Sequence, residues 1–230
     1  MKIPLLIEVI GETGVGKTHF CFTFPDVFLI DTSPKAEAFA IAHKLGMENR
    51  YYLALDYIDV VTKIDELVKR EDVLTIAIDT GANLQGMASI HYLKEMEKKG
   101  KKREKVLPIE YGVIRDMVDF NIIRKVISAN KNLVITSRMK DEYIGGEKTG
   151  RRERDGYPRL PDMADIRVYI ELVEDKTFNR IDRVIHVVKN RFVDRASQNW
   201  IEKLDRNDAE GIFNLVVRSG IKEEYLVWKK

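Results

Sequence analysis

At 230 residues, with 44% apolar and 33% charged side chains, the chain has the make-up of a soluble globular protein with a sizeable core; no apolar run approaches the ~20 residues that cross a bilayer. Its single cysteine, Cys21, excludes a disulfide framework and a cysteine-based zinc site and fits a reducing, cytoplasmic compartment. The net charge of +2 is uneven: Lys94 to Lys105 carries +4 and Lys148 to Arg159 carries +3, leaving the rest at −5, the pattern of a local anionic partner.

Leu5 to Ile10 reads as a buried strand, too short and too close to the glycine motif after it to be a signal peptide. It runs into GETGVGKT at residues 11 to 18, where Gly11, Gly16, Lys17 and Thr18 match G-x-x-x-x-G-K-[ST]. Glycines let the backbone wind closely around phosphates, and N–H groups at the start of the next helix point at anionic oxygens. Lys17 would reach the β and γ phosphates of ATP, and the Thr18 hydroxyl would ligate Mg²⁺. The nucleotide contacts are expected from Gly11, Glu12, Thr13, Gly14, Val15, Gly16, Lys17, Thr18 and His19. The HFCFTF run, ending at Pro25, is compatible with a helix.

Further on, Val27 to Ile30, Tyr51 to Leu55, Leu74 to Ile78 and Leu133 to Thr136 read as buried parallel strands. Between them Pro34 to Leu45, Ile58 to Arg70 and Gly112 to Ala129 have helical spacing, with Pro34 at a first helical position. Strands alternating with helices predict an α/β fold, a mostly parallel central sheet with helices on both sides. Asp79 ends its strand where a second carboxylate is needed for Mg²⁺, although it could also cap a turn in DTGAN. Ile166 to Val173 and Ile181 to Val188 read as an antiparallel pair joined by EDKTFNR. Asp208 to Val217 reads as a helix opened by an Asp cap, and Tyr225 to Trp228 should dock back on the body. Residues 97 to 107 and 141 to 163 are expected to be the least ordered. With no repeat or low-complexity linker, residues 1–230 are expected to form one domain, with a core at 4–195 and a tail at 196–230. His19, His43, His91 and His186 lack metal spacing, and scarce glutamine (Gln85 and Gln198) with abundant Lys, Glu and Arg suggests a hot environment.

The order VIGETGVGKT, FLIDTS, TIAIDTGANL, LVITSRMK resembles the core of RecA-type ATPases, closest to the compact phage and archaeal branch that includes single-strand annealing proteins. The resemblance covers residues 4 to about 195, and Tyr111-Gly112 is similar to an aromatic-Gly feature of that branch. It implies a P-loop NTPase with a RecA-like three-layer fold and antiparallel C-terminal strands. The strand at Leu133 to Thr136 would lie between the strands carrying Lys17 and Asp79, placing Thr136 or Ser137 near the γ-phosphate as a sensor. Ser137 is the catalytic candidate beside Lys17 and Asp79, or else a turn residue. Arg138 and Lys140 resemble a basic pair that acts in trans in a homo-oligomer, or they open a solvated loop. The family's water-orienting glutamate is replaced by Ser33, with Glu12, Asp31 and Glu37 as substitutes among which the sequence does not choose. The start of the strand near Met1 suggests that a filament-linking N-terminal domain is missing.

In such proteins two loops hold single-stranded DNA, and Lys94 to Lys105 and Tyr143 to Arg159 resemble loops in those places. Lys101, Lys102, Arg103, Arg151, Arg152 and Arg154 are the candidates for phosphates, with Tyr143 and Tyr157 for stacking on bases, unless these stretches only aid solubility. The expected function is therefore a Mg²⁺-dependent ATPase acting on, or switched by, single-stranded DNA in recombination, repair or replication. Two rivals stand: a small-molecule P-loop kinase with RRERDGYPR as its lid, and an ATP-bound regulator that does not hydrolyse.

Overall fold

The computed structural model describes residues 2–175, 180–193 and 202–228. The described strands are β1 (Leu6–Gly11), β2 (Val27–Asp31), β3 (Tyr51–Leu53), β4 (Thr75–Asp79), β5 (Asn132–Ile144), β6 (Glu147–Asp155), β7 (Ile166–Asp175), β8 (Arg180–Asn190) and β9 (Glu202–Lys203). They form one sheet in the order β3-β2-β4-β5-β1-β7-β8-β9, with β6 paired to β5 beside this path. From β3 to β7 the neighbours on that path are parallel, and β8 and β9 are antiparallel. Strand β5 lies between β4 and β1, as the resemblance implies.

Alternate side chains of a strand point to opposite faces, and the two faces of β1 build two cores. Leu5, Ile7 and Val9 pack with Phe20 of α1 (Lys17–Cys21), Ala38 and Ala42 of α2 (Glu37–Lys44), and Ile212, Leu215 and Val216 near the C-terminus. Leu6 faces the other core, with Val60 and Ile64 of α3 (Tyr57–Leu67), Leu84 and Ala88 of α4 (Leu84–Lys98), and Ile114 and Val118 of α5 (Tyr111–Val118). A π-helical turn, Asp119–Arg124, joins α5 to α6 (Lys125–Ser128), and α7 (Leu160–Met163) covers the end of that layer. Helix α8 (Ala209–Arg218) starts on Asp208, whose carboxylate accepts from Gly211 N at 3.2 Å. Three layers result, helix, sheet and helix: a RecA-like P-loop NTPase fold.

The structure changes several expectations. Pro34 does not open α2, which starts at Glu37: the Asp31 carboxylate takes the N–H groups of Ser33 (2.7 Å) and Ala38 (3.3 Å), and Ala36 has φ 49°. Residues between 32 and 36 are thereby held in a turn. Strand β3 stops at Leu53, and Leu55 is exposed. Helix α1 ends at Cys21, short of Pro25. Much of the expected loop at 141–163 is a hairpin, β5 running on to Ile144 and β6 returning to Asp155. Most of the expected link between β7 and β8, residues 176–179, lies outside the described residues, as do residues 194–201, where the expected core gives way to the tail.

Candidate functional site

The loop after β1 turns twice through backbone that glycine tolerates best, at Gly14 (φ 87°) and Gly16 (φ 96°). Val15 is buried between them and anchors the loop from below, while Thr13 and Gly14 face solvent. Lys17, 8% exposed, donates from Nζ to the carbonyl oxygens of Gly11 (2.8 Å) and Glu12 (2.7 Å). Burial lowers its pKa, opposed chiefly by the Asp79 carboxylate.

Asp31 and Asp79 end neighbouring parallel strands in register. In open α/β sheets this carboxyl edge is where ligands bind. Thr18 Oγ1 donates to Asp79 Oδ2 and Thr136 Oγ1 to Asp79 Oδ1, each at 2.6 Å. A cleft of about 400 Å³ opens over these groups, lined by Thr13, Gly14 and Lys17 and by Ser33, Glu37 and Arg138. His19 also lines it; burial, then nearby Arg183, lowers the imidazole pKa. No cluster of three or more His, Cys, Asp or Glu among the described residues could hold a metal by itself. Thr18 and Asp79 nevertheless offer the two hard oxygens that suit Mg²⁺, which binds through one or two protein oxygens plus substrate phosphates and water.

Ser137 requires correction. Thr136 and Ser137 are consecutive in β5 and so point to opposite faces. Thr136 turns to Asp79, whereas Ser137 is fully buried and donates to Glu8 at 2.6 Å. Glu8 is the centre of a cluster that sequence reading missed. Its Oε2 accepts from Arg167 Nε at 2.6 Å, and its Oε1 accepts from Arg154 Nε as well as from Ser137. Gly156 makes this approach possible, since a Cβ there would meet Ser137 Oγ at 2.1 Å.

The nucleic-acid candidates divide. Arg154 is held by Glu8 and by the Tyr157 carbonyl (2.7 Å), so it is no free phosphate ligand. Arg152 grips Glu12 with Nε and Nη2 (2.8 and 2.7 Å) and Asp141 with Nη1 (2.7 Å). Tyr157 is fully buried with its hydroxyl 2.7 Å from Asp119, which removes it as a base stacker; Tyr143 is 61% exposed. Arg151, Lys101 and Lys102 are exposed, the last 3.4 Å from Glu97, while Arg103 binds Glu110 at 2.7 Å. RRERDGYPR is likewise no free lid, because it is tied to β1 and β5 through these contacts. Arg138 faces the cleft of its own chain, and Lys140 lies 3.4 Å from Glu153 across the hairpin. Arg183, which no motif marked, donates from Nε to Val15 O at 3.0 Å and packs where a Cβ on Gly16 would stand.

A glycine-turned loop, a buried lysine and a carboxylate that accepts one hydroxyl from a helix and one from a strand define a nucleotide-binding P-loop protein of the RecA-like fold. Residues 4–197 match the AAA domain family, and the chain belongs to it. No curated protein sequence matches it. Among solved structures it is similar to a KaiC-like protein from the hyperthermophilic archaeon Pyrococcus horikoshii OT3, at 13% identity and a TM-score of 0.52, over 87% of this chain and 84% of that one. That likeness is one of fold.

Proposed function

We propose that the chain binds ATP with Mg²⁺ and hydrolyses it slowly, under the control of single-stranded DNA held by the β5–β6 hairpin. The single observation that carries this reading is the Thr18–Asp79–Thr136 triad, whose Thr18 and Asp79 line the cleft beside Lys17 while Thr136 is buried behind them. Bound Mg²⁺ would supply positive charge that offsets the charge of the phosphates. Thr18 and Asp79 would hold it, Lys17 would hold the β and γ phosphates, and Thr136 would fix the Asp79 carboxylate.

Slow turnover is expected from Ser33, because removing a water-orienting carboxylate costs about 10²–10⁴ in rate. Of the three substitutes, Glu12 is held by Arg152, and Asp31 accepts from Ser33 N, Ala38 N and Tyr51 Oη. Glu37 lines the cleft and is the carboxylate left to orient water. The exposed hairpin, with Lys148, Arg151 and Tyr143, supports the DNA reading, as does the likeness of the motifs to the phage and archaeal annealing branch.

Phosphate release should be measured with and without single-stranded DNA. At saturating ATP, DNA-stimulated release is expected, with DNA affinity falling at a log–log salt slope of about −0.7 per phosphate contact. A flat salt dependence would reject the DNA partner. Ser33 also favours a second reading, an ATP-bound regulator, which would bind ATP tightly and release no phosphate with any DNA.

A further inference from the structure

Arg152 and Arg154 stand two residues apart on β6 and so share a face. Both reach across to the segment that carries the phosphate loop: Arg154 to Glu8 within β1, Arg152 to Glu12 just past its end. The first contact is buried and fixes the base of the hairpin. The second is half-exposed and joins the hairpin to the loop itself.

Glu12 faces two ways. Its carbonyl oxygen accepts from Lys17 Nζ at 2.7 Å, while its carboxylate takes the two-pronged guanidinium of Arg152 at 2.8 and 2.7 Å. Arg152 is held in turn by Asp141 at 2.7 Å and by the Met139 carbonyl at 3.0 Å, both on β5. Isolated exposed ion pairs contribute little, but a two-pronged pair within a network has the geometry that matters. A guanidinium fork fits a phosphate as well as a carboxylate. The same cation can therefore neutralise Glu12 or bind an incoming phosphodiester.

We infer that Arg152 is a shared cation: while it pairs with Glu12 the loop accepts a triphosphate, and when a phosphodiester takes it, the bared Glu12 carboxylate repels the nucleotide. This rests on the proposed ATP and DNA binding and adds the sign of their coupling. The two ligands oppose each other, and by linkage each weakens the other by the same factor.

The test is ATP affinity, measured by titration in wild-type protein, Arg152→Gln, Glu12→Gln and the double variant. Arg152→Gln should raise the ATP Kd on the order of 10-fold. Adding Glu12→Gln should regain most of that loss, because no unpaired carboxylate remains. A 30-nucleotide single-stranded DNA should raise the ATP Kd of wild-type protein and lose that effect in the double variant. The inference is overturned if Arg152→Gln leaves ATP affinity unchanged, if the double variant is as weak as Arg152→Gln, or if DNA that binds wild-type protein leaves its ATP Kd alone. Wild-type protein that fails to bind ATP would instead overturn the reading of the cleft. Protein that binds ATP but not DNA would overturn the DNA partner, and this coupling with it.

Discussion

Burial disfavours the Lys17 ammonium, while the Asp79 carboxylate and the carbonyl oxygens of Gly11 and Glu12 favour it. A buried ammonium satisfied by two main-chain oxygens of its own loop can exchange them for phosphate oxygens without first being dehydrated. Hydrogen bonds to charged groups contribute about 1.5–3 kcal/mol, so Lys17→Ala should weaken ATP binding about 10- to 150-fold. The fold should persist, because the variant removes a buried charge and not a packing residue. Calorimetric titration with a parallel thermal melt checks both halves, and unchanged affinity would remove Lys17 from the phosphate site. Residue types in the loop were legible because phosphate chemistry restricts them to glycine, lysine and a hydroxyl. The choice between Thr136 and Ser137 was not, since it depends on which face of β5 meets Asp79, and register is set by β1 and β4.

Among the elements, the buried parallel strands were readable because both faces are covered and their sequences are continuous apolar runs. Strands β5 and β6 beyond Ser137 were not, because a hairpin that leaves the sheet has no covered face and therefore no alternation of apolar and polar residues. Its one sequence signal was Gly145-Gly146, whose φ angles of 63° and 91° suit a tight two-residue hairpin turn. Helix α4 escaped for a related reason: Gly86, a poor helix former, sits in its first turn, and Ile90 on its surface is 57% exposed, which blurs the apolar stripe. Replacing Gly145 and Gly146 with valine puts β-branched residues at positive φ, at a cost of roughly 1–2 kcal/mol each. Hydrogen exchange across residues 139–155 should then accelerate, while the midpoint of global unfolding barely moves, because the hairpin tip buries little. A large fall in the global midpoint would mean that the hairpin is part of the core.

Across the whole molecule, the chain closes on itself near the phosphate loop's supporting helix. Ile3 bridges to Leu226, and Trp228, 4% exposed, packs edge-on against Phe24 (5.6 Å) and at a tilt against Phe213 of α8 (5.3 Å). Phe24 in turn meets Phe20 of α1 at 5.6 Å, so a line of aromatic rings joins the C-terminal segment to the helix that begins at Lys17. Two roles are separable by measurement. If the ring stack only supplies buried area, Trp228→Ala should destabilise the protein by about 3–5 kcal/mol in urea unfolding. The added stability from ATP at 100 times its Kd would then stay near ~2.7 kcal/mol in both proteins, because that increment depends only on ligand concentration relative to Kd. If the stack instead positions α1 and its lysine, the same variant would raise the ATP Kd, and at a fixed ATP concentration its increment would shrink. Among the described residues the cleft is lined by the phosphate loop, the start of α1 and the ends of β2 and β4, with none from the C-terminal segment, and Lys17 takes its partners from the loop. The expected outcome is therefore a less stable protein with an unchanged ATP Kd.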